Sequence, residues 1–226
     1  MKRSILFDTE TTGLDPLNGD RVIEIAALEL IGDLPSGRSF RVLIDPERDV
    51  PEEASRVHGF TRADLEGQPK FAQIADEFLA FIGDDELIAH NAAFDFGFLN
   101  AEFRRAGLPE LAMTRMVDTL QIARARFPGM PNSLDALCRR FSIDLSARTT
   151  HNALLDCKLL AEVYIELSGG RQRGLGLSVE EGGTPSAAYD YTRPAGHAVV
   201  RVVPDAAEIA AHARFVDEIS DPLWRA

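Results

Sequence analysis

Residues 5–13 read "ILFDTETTG". Three apolar residues run into Asp8, Thr9 and Glu10, then two more threonines and a glycine. Side chains along a strand alternate faces, so Asp8 and Glu10 share one face a few ångströms apart while Ile5 and Phe7 point the other way. Two close carboxylates repel and raise each other's pKa unless something positive lies between them. Mg²⁺, a hard divalent cation that prefers carboxylate oxygens, suits that position. A lone D-x-E is also simply the acidic end of an exposed strand, so the rest of the chain has to decide.

The chain of 226 residues suits one ordinary domain plus extra segments. Hydrophobic residues make up 45% of it, as in a globular protein, and no apolar run approaches the length of a membrane span. "MKRSILFDTE" is not a signal peptide, because Asp8 interrupts its apolar stretch after three residues. Cys138 and Cys157 form no C-x-x-C pair and sit among apolar residues of expected helices, as reduced core residues of a cytoplasmic protein do. Net charge is −12, from 36 acids and 24 bases, which excludes the basic footprint of a free-standing duplex binder. Nucleic acid stays open as a substrate, since carboxylates held by metal ions stop acting as repulsive charges. An acidic nuclease would gain from a partner that holds its substrate.

Strand-like runs cover 2–7, 21–31 and 39–44, separated by turn signals at Asp15-Pro16, Asn18-Gly19, Gly32-Asp33 and Pro35-Ser36-Gly37. Such short connections predict antiparallel neighbours. Phe71, Ile74, Ala75, Phe78, Leu79 and Ile82 then recur at helical spacing, and "ELIAH" (86–90) reads as a fourth strand. A helix over 92–106, a short strand near Met116 and helices near 118–126, 133–141 and 152–168 complete an α/β pattern: a mixed sheet covered by helices. Residues 169–197 hold seven of the 17 glycines plus Pro185 and Pro194, the composition of a flexible linker. Beyond it, "HAVVRVV" (197–203) reads as a strand and 205–220 as a helix headed by a capping pair, Asp205 and Glu208. Ile209, Ala213, Val216 and Ile219 form one apolar stripe that this small segment cannot bury alone.

Two acids stand where apolar residues are expected. Asp95 lies three, four and eight residues before Phe98, Leu99 and Phe103, at the head of a helical stripe where the helix dipole also favours an acid. Asp156 lines up with Leu160, Val163 and Leu167, well into its helix, and an acid there wants a cation or an arginine. His151 precedes it by five residues. Four carboxylates from three segments and a histidine suit phosphodiester hydrolysis, with two metal ions roughly 3.5–4 Å apart activating water and stabilising the leaving oxygen. The histidine takes the proton from that water.

"FDTETTG", "HNAAFDFGFL" and "HNALLDCKLLAEVY" resemble, in order, the three motifs of the DEDDh branch of the 3′–5′ exonucleases, which have a ribonuclease H-like fold. "FPGMPNSLDALCRRFSID" and the terminal "EIAAHARFVDEI…LWRA" are similar to the epsilon, or proofreading, subunits of bacterial DNA polymerase III. The resemblance covers most of 3–170 and the last thirty or so residues. It implies a five-stranded sheet, antiparallel hairpin strands first and parallel strands after, with an exonuclease domain at 1–168, a linker at 169–197 and a polymerase-binding tail at 198–226. It also implies two Mg²⁺ or Mn²⁺ ions held by Asp8, Glu10 and Asp156, with Asp8 bridging, Asp95 completing the shell of the second ion through water and His151 as general base. Glu53 and His58 of "PEEASRVHGF" match positions contacting the terminal nucleotide, alongside Asp8, Glu10 and Asp156. The partners implied are single-stranded DNA 3′ ends, the polymerase III alpha catalytic subunit, the beta sliding clamp and a small theta-like subunit. Gln172, Leu175 and Leu177 of "QRGLGL" match a Q-x-x-L-x-L clamp peptide, and Trp224 with Ile209, Val216 and Ile219 would anchor the tail to the polymerase.

Three rival readings are distinguishable. A haloacid-dehalogenase-type phosphatase needs a second Asp where Glu10 stands and a downstream lysine, and Lys2, Lys70 and Lys158 lack suitable acidic surroundings. A DEDDh exoribonuclease trimming RNA 3′ ends shares the catalytic motifs but usually ends near the last nuclease helix. An inactive scaffold would not keep all five catalytic positions.

Overall fold

The opening stretch is the first strand, β1 (Arg3–Thr11), and it occupies the middle of the sheet. The computed structural model describes residues 2–146, 148, 150–170 and 203–219. β2 (Val22–Ile31) pairs antiparallel with β1, and β3 (Leu34–Leu43) antiparallel with β2. On the other side β4 (Glu86–Ala89) pairs parallel with β1, and β5 (Met116–Asp118) parallel with β4, giving the order β3-β2-β1-β4-β5. This is the mixed five-stranded sheet expected from the sequence. The helices are α1 (Glu52–His58), α2 (Arg62–Leu65), α3 (Phe71–Ile82), α4 (Ala92–Arg105), α5 (Thr119–Arg126), α6 (Leu134–Arg140) and α7 (Ala153–Leu167). α8 (Ala206–Asp217) lies in a second unit.

Alternation along β1 divides the interior in two. Ile5 and Phe7 join a core formed with α3 and α4, including Phe78, Phe96 and Phe103. Leu6 faces the opposite core, with Ala26, Leu28, Cys157, Leu160 and Val163, where α7 packs. A central strand covered on both faces by helices is apolar on both. Both cysteines are buried free thiols, as expected. Among the described residues no helix is long and apolar enough to cross a membrane.

The structure departs from expectation in three places. β1 runs on to Thr11 instead of stopping at Phe7, because pairing with β2 continues through Asp8↔Ala26 and Glu10↔Glu24. The β2–β3 turn is Gly32-Asp33, with φ of 59° and 70°, a two-residue hairpin of the kind that suits strand twist. Pro35 therefore lies inside β3, which the sheet order makes an edge strand that tolerates it. α1 and α2 were not anticipated, since they bury only His58 and Leu65 and so present no apolar stripe. In the second unit the expected capping pair is present: Glu208 N–H donates to Asp205 at 2.8 Å and Asp205 N–H to Glu208 at 2.9 Å. Of the strand expected over 197–203, only Val203 is described, and it is an exposed residue outside any strand.

Candidate active site

Asp8 and Glu10 leave the sheet on the α7 side, as alternation requires, with Asp8 half-buried and Glu10 buried. Directly across the ladder from Glu10 stands a third acid, the fully buried Glu24, and the register shifts just beyond, between Glu10 and Thr11. Irregularities of that kind re-aim side chains at the end of a ladder. Thr9 projects to the other face and fixes the fourth acid. Its N–H and Oγ1 both donate to Asp95 Oδ1, at 3.1 and 2.7 Å. Asp95 lies in the first turn of α4, buried, so the dipole and Thr9 act together. The N-cap of α4, Asn91, adopts φ 67° and donates its N–H to Asp118 Oδ1 at 3.0 Å, which also accepts from Leu120 N–H at 2.9 Å to cap α5.

On the α7 side the sequence reading needs correction. Asp156 is not deep in its helix: Asn152 caps the helix by accepting from Leu155 N–H at 3.1 Å, and Asp156 falls in the first turn. The helix start is pinned from below. Ala153 N–H donates to Glu24 Oε2 at 3.2 Å, and Arg41 Nε donates to Glu24 Oε1 at 2.6 Å. His151 is tied to α1 through its N–H, which donates to Val57 O at 3.0 Å, and its Nδ1 lies 3.4 Å from Asp156 Oδ2.

Ligand-type atoms of Glu10, His151 and Asp156 all lie within 4.8 Å of one another. Asp8 lines the same cavity as His151 and Asp156, a cleft of about 960 Å³ that extends past His90 and Arg124. Asp95 is not one of the close trio, but its charge reaches Asp8. Burial first, then Asp95, Glu10, Asp156 and Glu24, hold the Asp8 carboxyl well above the usual range. Burial, then the charges of Asp156, Glu24 and Asp95, push Glu10 up to about 8. Burial likewise raises Asp95 to about 7, against the opposing pull of its bonds from Thr9. The site is thus a pocket of negative potential that favours a cation.

One cation of the chain already stands there. Arg148 Nε and Nη2 donate to the two oxygens of Asp156 at 2.6 and 2.8 Å, and Nη1 bonds to Asp135 in α6. Arg148 and Glu24 were not singled out from the sequence. Glu24 carried one signal, a lone acid inside the apolar run "VIEIAAL". Arg148, in a loop without periodicity, carried none.

Glu53 and His58 line a second cleft of about 610 Å³, together with Glu10, Thr11 and Phe94. Glu53 is an exposed acid in the first turn of α1, whereas His58 is buried, with Nδ1 accepting from Phe60 N–H at 3.0 Å. Its Nε2 is buried with no hydrogen-bond partner among the described residues. Burial, and secondarily His151, lower its pKa. Gln172, Leu175, Leu177 and Trp224 lie outside the described residues. Of the expected tail stripe, Ile209 is 57% exposed, Val216 is buried and Ile219 is half-buried, while Phe215, off that stripe, is 63% exposed.

Residues 5–164 match the family described as Exonuclease, of the RNase T type. A Rickettsia felis protein named DNA polymerase III subunit epsilon is 44% identical over 223 residues, spanning 96% of this chain and 96% of that one. The Escherichia coli K12 protein of the same name is 41% identical over 240 residues, spanning 99% and 98%. Among solved structures, exonuclease X in complex with 5′-overhanging duplex DNA covers 74% of this chain, and 90% of its own length is matched, at 28% identity with a TM-score of 0.58.

Proposed function

The chain belongs to the exonuclease family and is a 3′–5′ exonuclease, and we propose that it is the proofreading subunit of a bacterial replicative DNA polymerase III. In that role it would remove mismatched 3′-terminal nucleotides from single-stranded DNA ends. The observation that carries the chemistry is the convergence of Glu10, His151 and Asp156 within 4.8 Å at the end of β1. The donor set fits hard divalent cations: carboxylate oxygens, buried and crowded enough to push Glu10 up to about 8. Asp8, Glu10, Asp95 and Asp156 would hold two such ions, Mg²⁺ or Mn²⁺. Bound there, the ions neutralise charge on the phosphate and ease ionisation of the attacking water.

His151, half-exposed beside Asp156, is placed to take the proton that water loses as its oxygen attacks phosphorus and the bond to the preceding 3′ oxygen breaks. Asp8 and Asp156 line the larger cleft and Glu10 the smaller, which suits a strand end lying across the carboxylates. The terminal nucleotide would enter the smaller one, against Glu53 and the unpartnered Nε2 of His58. The rest of the strand would follow the larger. Similarity along nearly the whole chain, tail included, favours the polymerase subunit over an RNA-trimming exonuclease.

Residues 1–168 would then be the nuclease domain, 169–197 a linker whose Gln172, Leu175 and Leu177 bind the beta sliding clamp, and 198–226 a tail that binds the alpha subunit. Ile209, Val216, Ile219 and Trp224 would anchor that tail, with a theta-like subunit as a further partner and the cytoplasm as the working compartment. The test is hydrolysis of single-stranded DNA, 3′-mismatched DNA and RNA with and without Mg²⁺ or Mn²⁺. Preference for mismatched DNA ends and loss of activity in Asp8→Ala are expected. Activity on RNA alone, or a fully active Asp8→Ala, would overturn the reading.

A further inference from the structure

Asp156 is buried, and the guanidinium of Arg148, itself only 10% exposed, covers both of its oxygens in a forked pair. The same Nη2 stands 2.9 Å from Nδ1 of His151. A guanidinium can only donate, so Nδ1 must accept in that bond. A neutral imidazole that accepts at Nδ1 carries its proton on Nε2 and has no lone pair there to receive one. Serving as a base at Nε2 requires the other tautomer, with Nδ1–H turned to an acceptor. The Asp156 oxygen 3.4 Å away is such an acceptor, and Arg148 holds it. A divalent ion seeking Asp156 meets the same obstacle, because it must displace a forked charge-assisted pair and overcome a fixed positive charge.

We propose that Arg148 is a resident counter-cation that competes with a divalent ion for Asp156 and holds His151 in the tautomer with no lone pair at Nε2, so that an incoming ion must displace the guanidinium. Its third nitrogen is bonded to Asp135, a partly exposed acid in the first turn of α6. That acid keeps the arginine anchored when Asp156 is released, so the guanidinium swings without being lost to solvent. Metal affinity is accordingly lower than the carboxylates alone would give. The carboxylate row in turn stays assembled without metal, because one of its members is already paired. Ion entry and activation of the base become one event.

This rests on the metal-ion reading of the site, and the test separates the two. Mn²⁺ is titrated calorimetrically into the full chain stripped of metal, comparing wild type with Arg148→Gln and Arg148→Lys, and melting temperatures are taken with and without Mn²⁺. Arg148→Gln should bind Mn²⁺ roughly tenfold tighter or more, the worth of a charge-assisted pair. It should also lose more melting temperature without metal than with it. Arg148→Lys, which keeps the charge and loses the fork, should fall between, and it serves alone if the glutamine variant does not fold. Long-range ¹H–¹⁵N spectra of the metal-free wild type should show His151 as the Nε2–H tautomer. Unchanged or weaker Mn²⁺ affinity in the variants, or His151 as Nδ1–H in the metal-free chain, overturns the proposal. Failure of the wild type to bind Mn²⁺ overturns the metal-ion reading beneath it.

Discussion

Replacing Glu10 by glutamine removes one charge from the end of β1 and keeps its shape. In the folded, ion-free chain Glu10 titrates near 8 against an ordinary 4.5, through burial and repulsion from Asp156, Glu24 and Asp95. Between those two pH values the folded chain holds a proton that the unfolded chain has lost, so stability falls as pH rises. The interval from 4.5 to about 8 is roughly 3.5 units at about 1.4 kcal/mol each, an upper bound of about 5 kcal/mol. Water entry and relaxation around a charged site bring the effect to about 2–5 kcal/mol. Urea unfolding of both chains in chelator at pH 5 and pH 9 reads this directly. The two should be similar at pH 5, Glu10→Gln should be the more stable at pH 9, and added Mn²⁺ should reverse that order. Parallel pH dependences, or a glutamine variant less stable than wild type at pH 9, would refute the account of the strand end as a store of unrelieved like charge.

His151→Gln should lose roughly 10²–10⁴ in cleavage rate while Mn²⁺ binding changes little, as expected for a general base; a loss confined to metal affinity would make the residue structural. Thr9→Val removes the 2.7 Å bond from Oγ1 to Asp95, one of the contacts that hold that carboxyl down near 7. Its pKa should rise further, so the rate defect should be larger at pH 7 than at pH 9, and a defect independent of pH would contradict this. Alanine at Gln172, Leu175 and Leu177 together should leave hydrolysis of short substrates intact and weaken binding to the sliding clamp, measured by surface plasmon resonance. Truncation after Ser168 should preserve nuclease activity and abolish co-purification with the polymerase catalytic subunit; retained binding would place that contact in the nuclease domain.

What was legible in the sequence is what local periodicity carries. Asp8 and Glu10 could be placed on one face because a strand alternates strictly, and Asp95 and Asp156 stood out because they interrupt apolar helical stripes. The depth of Asp156 was misjudged because "HNALLD" does not show by spacing that Asn152 is the cap. The supports of the site were illegible for a different reason. Glu24 acts on Ala153, a residue 129 positions away, and Arg148 acts through a loop whose course depends on the finished packing of α6 and α7. α1, which carries Glu53 and His58, and α2 bury too little to leave a pattern. Alternation and stripes therefore revealed the acids that gather at the site, and long-range contacts hid the groups that aim them.

The two cores on either side of β1 also set a schedule for the ribosome. Asp8 and Glu10 emerge first, but Asp156 and His151 follow almost 150 residues later, and α7 packs on a face made by β1, β2 and β4. Contacts so distant along the chain form late, after the local hairpin of β2 and β3. If these residues form the nuclease centre proposed above, a growing chain carries half of it, close to nucleic acid it could damage, and completes it only when the last helix of the first unit docks. On the proposed reading, cutting activity would arrive only with the docking of α7, and a chain interrupted before it would lack both His151 and Asp156.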